Sequence, residues 1–109
     1  MSDDSQVIIP PSFITLYVDP RRSRPRETRS FIAERHELCE DLAQMLTETA
    51  NEKLWQLGIT EADVLERMHL GLLAGELPLA AAEAWWVTQR LAELLEWPAP
   101  PIASTAAPP

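Results

Sequence analysis

A chain of 109 residues with 46% hydrophobic content is near the usual size of one domain and can bury a modest core. Its net charge of -8 argues against general nucleic-acid affinity, which needs a surplus of Lys and Arg to neutralise phosphate. The single cysteine, Cys39, permits no internal disulfide, and no apolar run approaches a membrane span, so the expectation is a cytoplasmic protein with no membrane association.

Residues 1–6 are polar, with neither a basic leader nor an apolar core, and are expected to be a disordered terminus. Pro10 and Pro11 follow, and proline's fixed backbone angle suits the first turn of a helix. A short helix over residues 11–18 is therefore expected, carrying Phe13, Ile14, Leu16 and Tyr17 and docked on a larger element; an edge strand is the alternative. Asp19 and Pro20 stop it. The next segment is the one basic patch, with Arg21, Arg22, Arg24, Arg26 and Arg29 opposed only by Glu27, so it carries +4 while the rest of the chain carries -12. These arginines read either as a solvated linker that binds nearby carboxylates or caps the acidic helix, or as a site for an anion or acidic partner, because clustered guanidinium groups grip carboxylates and phosphates bidentately. Nucleic-acid binding through the loop is a further alternative, opposed by the remaining charge.

The chain is organised around residues 28–57, where Ile32, Cys39, Leu42, Ala43, Leu46, Ala50, Leu54 and Leu57 fall on one helical stripe. Glu34, Glu37, Asp41, Gln44, Glu48 and Glu52 make the opposite, solvated side. Gly58 stands where a left-handed C-cap is required. Thr60 can cap a third helix whose apolar face is Ala62, Leu65, Met68, His69 and Leu72, flanked by Val64 and Leu73, and Gly75 closes it. Pro78 is placed to open a fourth, with Ala80, Ala84, Val87, Leu91, Leu94 and Leu95 as its stripe and an end near Trp97. The short connection makes helices three and four an antiparallel hairpin clasping the long helix. The expected fold is thus all-α, a small bundle of one long helix, an antiparallel helical hairpin and a short N-terminal helix. It forms a single domain over residues 7–97, followed by a disordered Pro/Ala-rich tail over 98–109.

Chemistry is sparse. His36, Cys39 and Glu40 lie close along one helix, but a structural zinc site needs four ligands and the chain has one Cys and two His, so no metal is expected. Glu66 and His69 match half of a di-iron bundle motif, and no second half exists. His69 on the apolar stripe reads as a buried imidazole with one hydrogen bond. Cys39 on the buried stripe reads as inert. The glycines at 58, 71 and 75 and the single lysine, Lys53, form no Walker loop, so no catalytic residue and no cofactor is expected.

The tryptophans say more. At helical spacing Trp86 and Trp97 flank the core stripe of the fourth helix, while Trp85 points away from it and Trp55 projects on the acidic side of the long helix. The off-stripe rings need cover, either from Phe13, Ile14 and Tyr17 or from a partner or second copy of the chain. Arg35 sits close enough to the long helix's stripe to need a carboxylate, with Glu83 or Glu61 in reach across the bundle. The rival is that Arg35 and Arg29 extend the basic loop into an anion pocket.

The segments Ile9-Pro10-Pro11-Ser12-Phe13 with Tyr17, Glu37-Leu38-Cys39-Glu40-Asp41-Leu42, and Leu57-Gly58-Ile59-Thr60-Glu61 continuing through Asp63-Val64-Leu65-Glu66-Arg67 to Gly71-Leu72-Leu73 resemble a family of small bacterial proteins labelled "ATPase with chaperone activity". The resemblance spans about residues 7–97. It implies a shared helical fold, and the label implies ATP hydrolysis, but the matching motifs are structural and carry no active site. The residues themselves point to a protein-interaction module that binds another protein or itself through Trp55, Trp85 and the arginines, and the resemblance implies an adaptor or chaperone-linked accessory.

Overall fold

The computed structural model describes residues 9–18, 27–75 and 79–100. Four helices follow in order: α1 (Pro11–Ile14), continued by a 3-10 turn (Thr15–Tyr17), α2 (Arg29–Leu57), α3 (Glu61–Ala74) and α4 (Ala81–Leu95). The all-helical bundle is as the hydrophobic periodicity requires.

Local chemistry sets the boundaries. The hydroxyl oxygens of Thr28 and Thr60 accept from the backbone N–H groups of Phe31 and Asp63, both at 3.1 Å, so each threonine satisfies an orphan donor of the helix it opens. Gly58, at φ 63°, gives the left-handed cap that lets α2 stop and the chain reverse. α4 ends in the same conformation without a glycine. Glu96 holds φ 60° while the Trp97 N–H reaches back to the Ala92 carbonyl at 2.9 Å.

The core has two contiguous parts. Ile9, Phe13, Tyr17, Ile32, Cys39, Leu42, Ala43, Trp86 and Val87 fill one end of the bundle, and Ala50, Val64, Leu65, Met68, Leu91 and Ala92 fill the other, with Leu46 packed against both. Helices α2 and α4 run through both parts, α1 closes the first and α3 lines the second. Because Arg35 pairs with Glu83 and, further on, Glu40 pairs with Arg90, α2 and α4 run parallel.

This arrangement buries more of α4 than a one-sided stripe would. Its buried residues are Glu83, Ala84, Trp86, Val87, Thr88, Leu91 and Ala92, because α1 covers the Trp86 flank and α3 the opposite one. Several expectations are corrected. α4 starts three residues after Pro78, which lies outside the described residues, because the Glu83 carboxylate accepts from the Ala80 N–H and fixes the cap there. Ala80 is accordingly exposed, and α4 stops two residues short of Trp97. On α3 the buried line is Val64, Leu65 and Met68, and Ala62 is exposed. Leu57 is 48% exposed because the last turn of α2 overhangs the core. The expected disordered residues 1–6 and most of the 98–109 tail fall outside the described residues. Pro98, Ala99 and Pro100 are described, non-helical, with Pro100 buried.

The two left-handed caps make opposite predictions. Gly58→Ala meets no neighbouring atom, so its cost is conformational and should be about 1 kcal/mol. Glu96→Gly should stabilise by about 0.5 kcal/mol, as relieved strain exceeds the added entropy of the unfolded chain. Urea denaturation of both variants checks the signs.

Candidate functional site

The site is built outward from one carboxylate. Glu83 is the third residue of α4, and its side chain is 4% exposed. Its Oε1 accepts from Arg35 Nη2 at 2.7 Å and from the Ala80 N–H at 3.0 Å, while Oε2 accepts from Arg35 Nε at 2.9 Å and from the Tyr17 hydroxyl. Four donors thus meet the four lone pairs of one carboxylate, and the N-terminal end of α4 adds its favourable dipole. Burial pushes the Glu83 carboxyl up, but the bonds from Arg35, Tyr17 and Ala80 more than offset it and hold it down at about 2. The same contacts raise the Arg35 guanidinium, and burial, followed by the Glu83 bond, raises the Tyr17 phenol. Of the two carboxylates in reach of Arg35, the structure selects Glu83. This places Arg35 inside the bundle as a register-setting residue, while Arg29 stands exposed in the first turn of α2.

A second bidentate pair with the opposite polarity lies further along the same two helices. Arg90 on α4 donates through Nε and Nη2 to both oxygens of Glu40 on α2, at 2.8 and 3.0 Å, and through Nη1 to Glu93 at 2.9 Å. The bond from Arg90 holds the Glu40 carboxyl below its usual range despite partial burial.

Beside this pair opens a cleft of about 540 Å³ between α1, α2 and α4. Pro10, Ser12 and Leu16 form one wall, His36 and Glu40 another, and Trp85, Trp86, Gln89, Arg90 and Glu93 the third. Phe13, His36 and Trp86 meet one another edge-on, with ring centroids 5.0 to 5.5 Å apart, and Trp86 Nε1 donates to Ser12 Oγ at 3.0 Å. His36 is 7% exposed, and burial lowers its pKa.

The expected interaction residues divide. Trp55 is 85% exposed on the outer side of α2, as its position on the helix implies. Trp85 is half-buried: His69 of α3 meets it edge-on, with centroids 5.0 Å apart, because α3 wraps that flank of α4. Phe13 covers Trp86 instead of the off-stripe rings. His69 is itself half-buried and, among the described residues, makes no hydrogen bond, which corrects the expected bonded imidazole. Arg21, Arg22, Arg24 and Arg26 lie outside the described residues. Cys39 is fully buried, and burial, with Glu83 nearby, pushes its thiol up to about 12. Cys39 sits in the core while His36 and Glu40 line the cleft, and among the described residues no three such side chains gather to hold a metal. None of the described helices is long and apolar enough to cross a membrane. Sequence reasoning weighed His36 only as a metal ligand and missed the Glu40–Arg90 pair, although the flank positions of Glu40 and Arg90 would have yielded to the same angular argument as Arg35. No family model, curated protein or solved structure matches this chain.

Glu83 has a lowered pKa in the folded state, so its contribution is present above the unfolded value near 4.5 and is lost as pH falls toward 2. The shift corresponds to about 3 kcal/mol. Chemical denaturation between pH 6 and about 2.5 should show this loss in wild type and a flatter profile in Glu83→Gln. At neutral pH, Arg35→Met should cost about 3 kcal/mol, since it strands a buried carboxylate. A thiol reagent at pH 8 should label Cys39 only after unfolding, so labelling of the native protein at the rate of a free thiol would contradict its burial.

Proposed function

We propose that this chain is a non-catalytic protein-interaction module of the adaptor or chaperone-accessory kind, binding a partner protein or a second copy of itself through the outer face of α2. The observation that supports this reading is Trp55, 85% exposed on that face. A tryptophan carries roughly 150–250 Å² of surface, so covering it is worth about 4–6 kcal/mol before the costs of association. Met45, 70% exposed, lies on the same helix, and the exposed Glu52 and Glu48 lie one and two turns before Trp55. A large aromatic anchor bordered by charge is the usual composition of an interface hot spot and its rim.

Trp55→Ala tests the reading without disturbing the fold, because the side chain supports little of the core; its unfolding free energy should stay within about 0.5 kcal/mol of wild type. Light scattering and affinity capture from the native host should show a defined complex with wild type and its loss with Trp55→Ala. A wild-type chain that is strictly monomeric and retains nothing, or a complex indifferent to Trp55→Ala, would overturn it.

A further inference from the structure

The cleft beside the Glu40–Arg90 pair uses none of the residues of the α2 face, and it contains a feature that the bundle's stability does not explain. His36 is 7% exposed, lines the cleft, and makes no hydrogen bond among the described residues. A buried polar group without a partner is costly, so such groups are rare unless something else completes them. The volume of about 540 Å³ falls in the range of small-molecule sites, and three aromatic rings, His36, Trp85 and Trp86, stand among its walls. We propose that this cleft binds a small, flat aromatic molecule, neutral or cationic, that hydrogen-bonds to His36 and packs against the tryptophans.

The charge restriction follows from the geometry. Arg90 is the only cation lining the cleft among the described residues, and each of its three nitrogens already donates to a carboxylate of Glu40 or Glu93. With two carboxylates against one guanidinium, the described lining carries a net negative charge, which disfavours an anion. An amine finds the Glu93 carboxylate, whose side chain is 68% exposed. Ring contacts against Trp85 and Trp86 add attraction beyond the area they bury. His36 then selects for a ligand with a donor or acceptor placed toward the α2 wall of the cleft, where Phe13 and Trp86 pack in T-shaped contact with the imidazole.

Tryptamine, indole and indole-3-acetate carry the same ring with positive, zero and negative charge. In nitrogen-proton correlation spectra of the full chain, tryptamine should shift the indole signals of Trp85 and Trp86 saturably, with half-saturation below about 1 mM, and leave that of Trp55 unmoved. Indole should bind more weakly and indole-3-acetate at least tenfold more weakly than tryptamine. His36→Phe keeps the ring contacts and removes the polar edge, so it should weaken tryptamine binding about tenfold without lowering the melting temperature. Glu93→Gln, on the exposed rim, should narrow the gap between the cation and the anion. The proposal is overturned by the absence of saturable shifts at about 10 mM tryptamine, by tighter binding of the anion, or by a folded His36→Phe that binds as wild type does.

Discussion

One buried carboxylate holds three separate parts of the chain to the same point. Glu83 begins α4 by accepting from the Ala80 N–H, ties α4 to α2 through Arg35, and ties both to the N-terminal segment through Tyr17. Burying a carboxylate is costly unless its lone pairs are filled, and here all of them are. The cost of losing one donor therefore exceeds the worth of any single bond, and the short α1 segment, too small to be stable alone, is held by a group it does not own. Phe13 and Trp86 add the apolar part of that attachment.

The second ion pair makes the alignment of α2 and α4 specific. Arg35 faces Glu83, while five residues later on α2 Glu40 faces Arg90, so the charges alternate between the helices. A shift of one helix along the other would bring like charges toward each other or leave charges unpaired, and the apolar stripes alone would tolerate such a shift better. Specificity of register thus comes from polar contacts on the flanks, and stability from Val87, Leu91, Cys39 and Ala43 between them. The Glu40–Arg90 pair also lines the cleft, so one contact serves the fold and sets the charge on that wall of the cavity.

Much of the fold was legible in the residues. The stripe from Ile32 to Leu54 and the caps at Gly58 and Thr60 marked α2 and the start of α3 because periodicity and capping are local properties. The inward role of Arg35 was legible because a guanidinium near an apolar stripe needs a carboxylate. What escaped notice depended on tertiary neighbours. Trp85 lies on the wrong side of α4 for a core residue until α3 wraps round that flank, and Ala80 looks like a core position until the Glu83 carboxylate turns it into a cap. His36 is buried on α2, but only the packing of α1 and α4 around it places it in the wall of a cleft. The exposed Trp55 needed no tertiary knowledge, since its angle on the helix already set it apart from the stripe.

The dependence of α1, α2 and α4 on the same carboxylate is measured most directly by a double-mutant cycle between Tyr17→Phe and Arg35→Met, followed by urea denaturation at pH 7. These residues lie on different elements and both donate to Glu83. If the carboxylate couples them, the two losses should depart from additivity by about 1 kcal/mol or more. Additivity within about 0.3 kcal/mol would show that Tyr17 and Arg35 act independently and would contradict the account.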